Sequence, residues 1–365
     1  MTREELLALK IKPINKRIEK EVKAIWDGIA KPLDGLGEFE LLLARIGGIL
    51  GSTDLNLQKK AIIAMCADNG IVAEHVSQSG QEVTAIVTSF MGKQQSSVGK
   101  MAVHAGVDVI PVDIGINSAE KIPGVRDCKI MKGTRDFLLE PAMTEEEALR
   151  AIEVGIQLVQ ECKDKGYTLL GTGEMGIGNT TTSSAVAIAL MEKDDTDPVA
   201  LERWIGRGAG LSDAGLQRKA QVIKSALEKY PVAHMDTLQI LATFGGLDIA
   251  GMAGVCIGGA LYHIPVILDG LISTLAGLVA QRLVPGVREF LIPSHCSKEP
   301  AARLLADELQ LHPVIDANLA LGEGTGAVMM CELLDLALTI YEKQTTFDTM
   351  EIEQYERFSD KDCVR

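Results

Sequence analysis

Aromatic residues are scarce: Phe, Trp and Tyr together make up 4% of the 365 residues, whereas 36 residues are glycine. An interior with so few rings must be aliphatic, with many tight loops or close backbone contacts, which suits an α/β enzyme. Positive charge is also in short supply. Lys and Arg number 36 against 50 Asp and Glu, a formal net charge of −14. This acidity argues against a nucleic-acid partner or an anionic membrane surface, so any phosphate ligand must be met by local groups. The seven cysteines, Cys66, Cys128, Cys162, Cys256, Cys296, Cys331 and Cys363, include no C-x-x-C pair. That spacing disfavours a zinc site, a redox motif or a disulfide framework, and a cytoplasmic protein is expected. The opening MTREELLALKIK lacks the apolar stretch of a secretory signal.

One uncharged run, Ile249 to Leu268, has the length of a membrane span and places Gly251, Gly254 and Gly258 at helix-packing spacing. His263 and Pro265 interrupt it, and no basic flank anchors either end. The run therefore reads as a buried helix followed by a buried parallel strand, PVILD, with no membrane insertion.

Residues 1–50 are charged and helical in period, with two helices expected around a turn near Pro32 and Gly35. From residue 60 short apolar runs alternate with helical segments: AIIAMCAD, VDVIPVDIG, YTLLGTG, PVILDG and EFLIPSH. The alternation predicts βα units in a parallel sheet. From Thr345 onward the chain reads as a polar tail or terminal helix. Each predicted strand runs into polar or Gly-rich residues, among them Asp68, Asn69, Gly171 to Glu174, Asp269, Ser294 and His295. Open parallel sheets bind ligands beyond the carboxyl ends of their strands, so these clusters converge on one crevice.

The segment YTLLGTGEMGIGNTTTSS is a strand, a Gly-rich loop and a Thr/Ser cluster opening an apolar helix, an arrangement that offers N–H groups to an anion. Gly171, Gly173 and Gly176 satisfy G-x-G-x-x-G, but EKDDTD follows the helix in place of an acid-ended second strand, and Gly178-Asn179-Thr180 departs from a P-loop. Asn179 or Thr180 serves equally as a plain helix cap. Glu174 would repel a phosphate at contact range and fits better beside an uncharged or cationic part of a ligand. Glu323, between Gly322 and Gly324 before another apolar helix, is placed to accept a proton or to stabilise the helix dipole. The GRGAG loop at Gly206 to Gly210, with Arg218 and Lys219 after it, reads as a phosphate contact or a solvated basic turn. His295 is a base, a ligand or a satisfied core residue. Asp269 stands alone where the pyrophosphate-binding loops of many phosphoribosyltransferases carry two acids in succession, and magnesium is not assigned to it.

Taken in order, KPLDGLG, CADNGIVAEHVSQSGQEVT, GTGEMGIGNTT, GRGAGL with Lys219, GGLDIAGMAGV, PVILDG, IPSHCS and LGEGTGA resemble the nicotinate-nucleotide:dimethylbenzimidazole phosphoribosyltransferases of cobalamin lower-ligand synthesis over nearly the whole chain. The resemblance implies transfer of the ribose phosphate of nicotinate mononucleotide to a benzimidazole nitrogen with inversion, releasing nicotinate, with no metal and no cofactor. It implies Glu323 as the catalytic base and Glu174 as a second catalytic carboxylate. Gly176, Asn179, Thr180, Gly208 and Lys219 would hold the phosphate, and Ser79, Met175 and Leu321 would line the base pocket. Val87 stands where some members carry Gln, and Pro300 where a small flexible residue is more usual. Related enzymes attach purines or phenols, and a silent paralogue that only binds nucleotide or base is the non-enzyme alternative.

The expected architecture is an α/β fold with a Rossmann-like parallel sheet in a catalytic domain over residues 56–340. Residues 1–55 and 341–365 are expected to form a small helical subdomain. The resemblance further implies a homodimer with small-molecule substrates.

Overall fold

The computed structural model describes residues 1–192 and 203–357, so most of EKDDTD and Cys363 lie outside the described residues. Six strands form one parallel sheet: β1 (Lys60–Ala67), β2 (Asp108–Gly115), β3 (Arg126–Asp127), β4 (Leu169–Met175), β5 (Val266–Leu268) and β6 (Leu291–Pro293). Their order is β3-β2-β1-β4-β5-β6. The chain thus builds outward in one direction after β1 and in the other after β4, which opens a crevice where the order reverses. β1 is buried along its whole length, as a central parallel strand covered on both faces must be. Its side chains alternate: Ala61, Ile63, Met65 and Ala67 join one apolar cluster, and Ile62, Ala64 and Cys66 join the other. Five of the six strands follow the apolar runs. The two-residue β3 does not, because so short an edge leaves no alternating pattern to read.

Ile249 to Leu268 divides as expected into helix Leu247–Tyr262, a left-handed His263, and β5. No helix of the described residues is long and apolar enough to cross a membrane. This helix lies against helix Glu145–Asp164 at unusually close range: a Cβ on Gly254 would sit 2.0 Å from the Ile152 carbonyl oxygen. Small residues permit backbone-to-backbone contact, and β1 then packs beneath the helix through Met65, which touches Gly251.

At the amino end, helices Lys16–Gly28 and Glu38–Leu50 flank the expected turn, and a short helix, Arg3–Leu7, precedes them. The short helix carries little sequence signal, because one buried residue, Leu6, and a Thr2/Glu5 capping box are all that define it. Trp26 packs against Tyr341 of helix Thr325–Glu342, with ring centroids 5.3 Å apart. Ile29 forms a bridge with Thr346, and Arg357 reaches Asp27 at 2.8 Å and Asp34 at 2.7 Å. The two ends of the chain therefore share one apolar cluster with a face of the sheet. Beyond Thr345 only Phe347–Met350 is helical among the described residues.

The glycines of helix Leu247–Tyr262 differ in what a methyl would meet. On Gly254 it would strike backbone, whereas on Gly251 it would meet the movable ends of Ile114 and Met65. Gly254→Ala should therefore cost at least about 1–3 kcal/mol and Gly251→Ala clearly less. Urea midpoints measured at unchanged m-value check this, and equal losses would contradict it.

Candidate active site

Beyond the carboxyl ends of β4, β5 and β6 lies a crevice of about 300 Å³, whose lining includes Asp269 and His295 but not Asp68, Asn69 or Ser294. Register places Glu174 of β4 beside Met65 of β1, so its side chain leaves the sheet at the strand's end. It is 9% exposed and accepts a hydrogen bond from the Asn179 side-chain amide. Burial, then the nearby carboxylates of Asp248, Asp269 and Glu323, push the Glu174 carboxyl up to about 8 against the pull of Asn179.

Glu323 faces the crevice from an unusual backbone. Gly322, Glu323 and Gly324 have φ of +82°, +63° and +96°, a left-handed run that costs a non-glycine residue roughly 1–2 kcal/mol. The loop rests directly on β4: a Cβ on Gly173 would lie 2.4 Å from the Glu323 carbonyl oxygen. One carboxylate oxygen, Oε2, accepts from the Val98 N–H at 3.0 Å, in the first turn of helix Ser97–Ala105. That contact orients the carboxylate and leaves Oε1 available.

Asp269, at the end of β5, accepts from the N–H groups of Gly324 at 3.2 Å, Gly326 at 2.7 Å and Ala327 at 3.1 Å. It therefore caps helix Thr325–Glu342 from another part of the chain. Burial pushes its carboxyl up to about 7, opposed by those three donors. His295 lies beside it, with Nδ1 3.9 Å from Asp269 Oδ1 and 3.1 Å from Ser294 Oγ. Burial draws the imidazole down to about 4, so it is neutral near pH 7.

Next to Glu174, helix Asn179–Met191 begins after a left-handed Gly178 with no side-chain cap. Lys219 is fully buried behind it and donates to Thr180 Oγ1 at 3.1 Å and to the Gly206 carbonyl at 2.9 Å. Burial lowers the ammonium to about 8, although Glu299 acts the other way. The Gly208 N–H donates to Glu299 Oε1 at 3.0 Å.

Glu174, Met175, Gly176, Asn179, Thr180, Gly208, Leu321 and Glu323 all line the crevice. Lys219 stands behind Thr180, and Ser79 lies one residue past the lining segment Val76 to Gln78. Val87, Met175 and Leu321 give one end an apolar wall. Sequence reasoning missed Asp248 and Glu299. Both are buried acids, at 0% and 8% exposed, and the only hint was an acid inside the apolar GGLDIAG and the polar SKEP. Burial pushes Asp248 up to about 6.

Between an unfolded value near 4.5 and a folded value of about 8, the native chain holds a proton on Glu174 that the unfolded chain has lost. Stability from that proton is present below pH 4.5 and disappears as pH rises through 8. Glu174→Gln carries a permanently neutral amide. It should be more stable than wild type by a few kcal/mol near pH 9, with the gap closing toward pH 5. Denaturant titrations at the two pH values test this, and a pH-independent difference would refute the assignment.

Comparisons with known proteins give the family. A family model described as Phosphoribosyltransferase matches residues 11–352. The nicotinate-nucleotide:dimethylbenzimidazole phosphoribosyltransferase of Acetivibrio thermocellus is 43% identical over 330 residues, covering 90% of this chain and 92% of the relative. That of Clostridium acetobutylicum is 40% identical over 345 residues, covering 94% and 96%. The crystal structure of CobT from Thermus thermophilus superposes with a TM-score of 0.85 at 34% identity, over 93% of this chain and 100% of that one. With a family match over almost its full length and relatives this similar end to end, the chain belongs to the nicotinate-nucleotide:dimethylbenzimidazole phosphoribosyltransferase family.

Proposed function

We propose that the chain transfers the 5-phosphoribosyl group of nicotinate mononucleotide to 5,6-dimethylbenzimidazole, giving α-ribazole 5′-phosphate and nicotinate for cobalamin nucleotide-loop assembly. The observation that supports this reading is one crevice lined both by Glu323, whose carboxylate accepts from the Val98 N–H, and by Thr180 and Gly208, beside the buried Lys219. The nicotinate nitrogen is quaternary in the nucleotide, so the ring departs neutral and needs neither a proton nor a metal. The incoming benzimidazole attacks the ribose carbon from the opposite face and must shed its N–H proton, which Glu323 accepts.

Burial, and then the carboxylates around it, favour the protonated form of Glu174 before substrate arrives. A bound pyridinium or a developing oxocarbenium charge favours its ionised form, and the ionised carboxylate in turn stabilises that charge. Gly176, Asn179, Thr180, Gly208 and Lys219 are assigned to the phosphate, and Ser79, Met175, Leu321 and Val87 to the base. A homodimer is part of the proposal, supported by the exposed apolar side chains of Ile86, Phe90, Val103, Leu336 and Ile340. So are a helical subdomain built from residues 1–55 and 341–365, and a reducing cytoplasmic setting, in keeping with the six free thiols among the described residues.

Glu323→Gln should lower kcat by about 10² to 10⁴ while nucleotide binding persists. Wild-type turnover at saturating base would remove Glu323 from the mechanism. For the acceptor, an apolar wall rewards buried area: two methyl groups at about 0.8 kcal/mol each favour dimethylbenzimidazole over benzimidazole by about tenfold. Adenine is disfavoured further by unpaired polar groups. Competition kinetics with equal concentrations of the three bases check this order. A win for adenine, or for a phenol added to the panel, would replace the named acceptor and leave the transferase chemistry standing.

A further inference from the structure

The anion cradle is already occupied from within. The Gly208 N–H, assigned above to substrate phosphate, donates to Glu299 Oε1 at 3.0 Å. The second oxygen, Oε2, is buried, has no hydrogen-bond partner among the described residues, and lies against Gly206, where a Cβ would come within 1.8 Å of it. Glu299 is 8% exposed and lines the crevice. Lys219 uses two of its three N–H bonds, on Thr180 Oγ1 and on the carbonyl of the same Gly206. A buried ammonium and a buried carboxylate thus meet around one glycine, each with unspent capacity.

We propose that Glu299 is an internal counter-anion that holds the phosphate subsite in the unliganded enzyme and must yield it to the phosphate of the nucleotide. This rests on the reading of the crevice as a phosphoribosyl site. A phosphate placed on Thr180, Gly208 and Lys219 cannot share the Gly208 N–H with a carboxylate, and the two anions repel at contact range. Until the nucleotide binds, the carboxylate balances the buried ammonium and keeps the GRGAG loop in its binding shape. Against a ligand, it sets a threshold. Free inorganic phosphate brings only its charge to the contest, whereas the nucleotide adds ribose and ring contacts along the rest of the crevice. Glu299 in this sense sets the threshold that any phosphate must overcome, and the nucleotide meets it with its ribose and ring contacts.

The test is Glu299→Gln, whose side-chain oxygen can still accept the Gly208 N–H so that the loop stays supported, with thermal melting as the check on folding. Inorganic phosphate and nicotinate mononucleotide are titrated calorimetrically into wild type and variant, with nicotinic acid riboside as the phosphate-free control. The variant should bind inorganic phosphate about tenfold or more tightly and the nucleotide more tightly as well, with the riboside unchanged. Unchanged or weaker phosphate binding in the variant overturns the proposal, as does a riboside that changes in step with the nucleotide. A third chain, Lys219→Ala, should lose affinity for both phosphate-bearing probes. If Lys219→Ala binds both as wild type does, or if the wild type transfers no phosphoribosyl group, the cradle or the activity has been misassigned. Those failures are read separately from the behaviour of Glu299→Gln with inorganic phosphate.

Discussion

The carboxylate of Asp269 ties the end of β5 to the first turn of helix Thr325–Glu342 through three backbone N–H groups, and the position of Glu323 depends on that tie. Gly324, one residue after Glu323, is among the three donors, so the loop cannot move without breaking a buried hydrogen bond. The sheet is the rigid reference, and Asp269 transfers its rigidity to a loop that would otherwise relax. Ser294 Oγ donates to the Asp269 main-chain carbonyl, and His295 lies beside the carboxylate. From the other side, Gly173 lets β4 lie directly beneath Glu323. Strand, clamp and the Glu323 loop are thus one assembly, in which Glu323 sits on strained backbone while its neighbours carry the order.

Around that assembly the charges sort by position. Glu174, Asp248, Asp269 and Glu323 gather near the strand ends, and burial raises three of them, Glu174, Asp248 and Asp269. Lys219 lies buried behind Thr180, which is in the uncapped first turn of helix Asn179–Met191. A ligand that is cationic at its ring and anionic at its phosphate satisfies both ends, and its orientation follows from that polarity. On the proposed assignment, an acidic chain would hold a phosphate this way because a single buried lysine acts in a region where water screens little.

Strands were legible where burial on both faces forces an unbroken apolar run, as in KAIIAMCA, and the loops were legible where glycines cluster. The clamp was not, because Asp269 and Gly326 are 57 positions apart and nothing local to either announces the other. Lys219 reads from sequence equally as a phosphate contact or part of a solvated basic turn, yet it is fully buried. The adjoining Arg218 turns outward to Glu74, so two neighbours of the same sign have opposite fates set by helix rotation. Asn179 is expected at a phosphate or as a cap, and its amide donates to Glu174, a pairing that no local pattern announces. Pairing between distant loops decides such cases, and a linear pattern does not encode it.

The left-handed conformation of Glu323 has a consequence for how this chain can be improved. Glycine would occupy that backbone without penalty, and asparagine nearly so, whereas glutamate is held there at a local cost. On the proposed role of Glu323 as the base, selection for heat resistance alone would therefore reward replacing it, and selection for turnover would reverse the change. At this codon the gradients of durability and catalysis point in opposite directions. Libraries meant to harden the enzyme need that one position held constant.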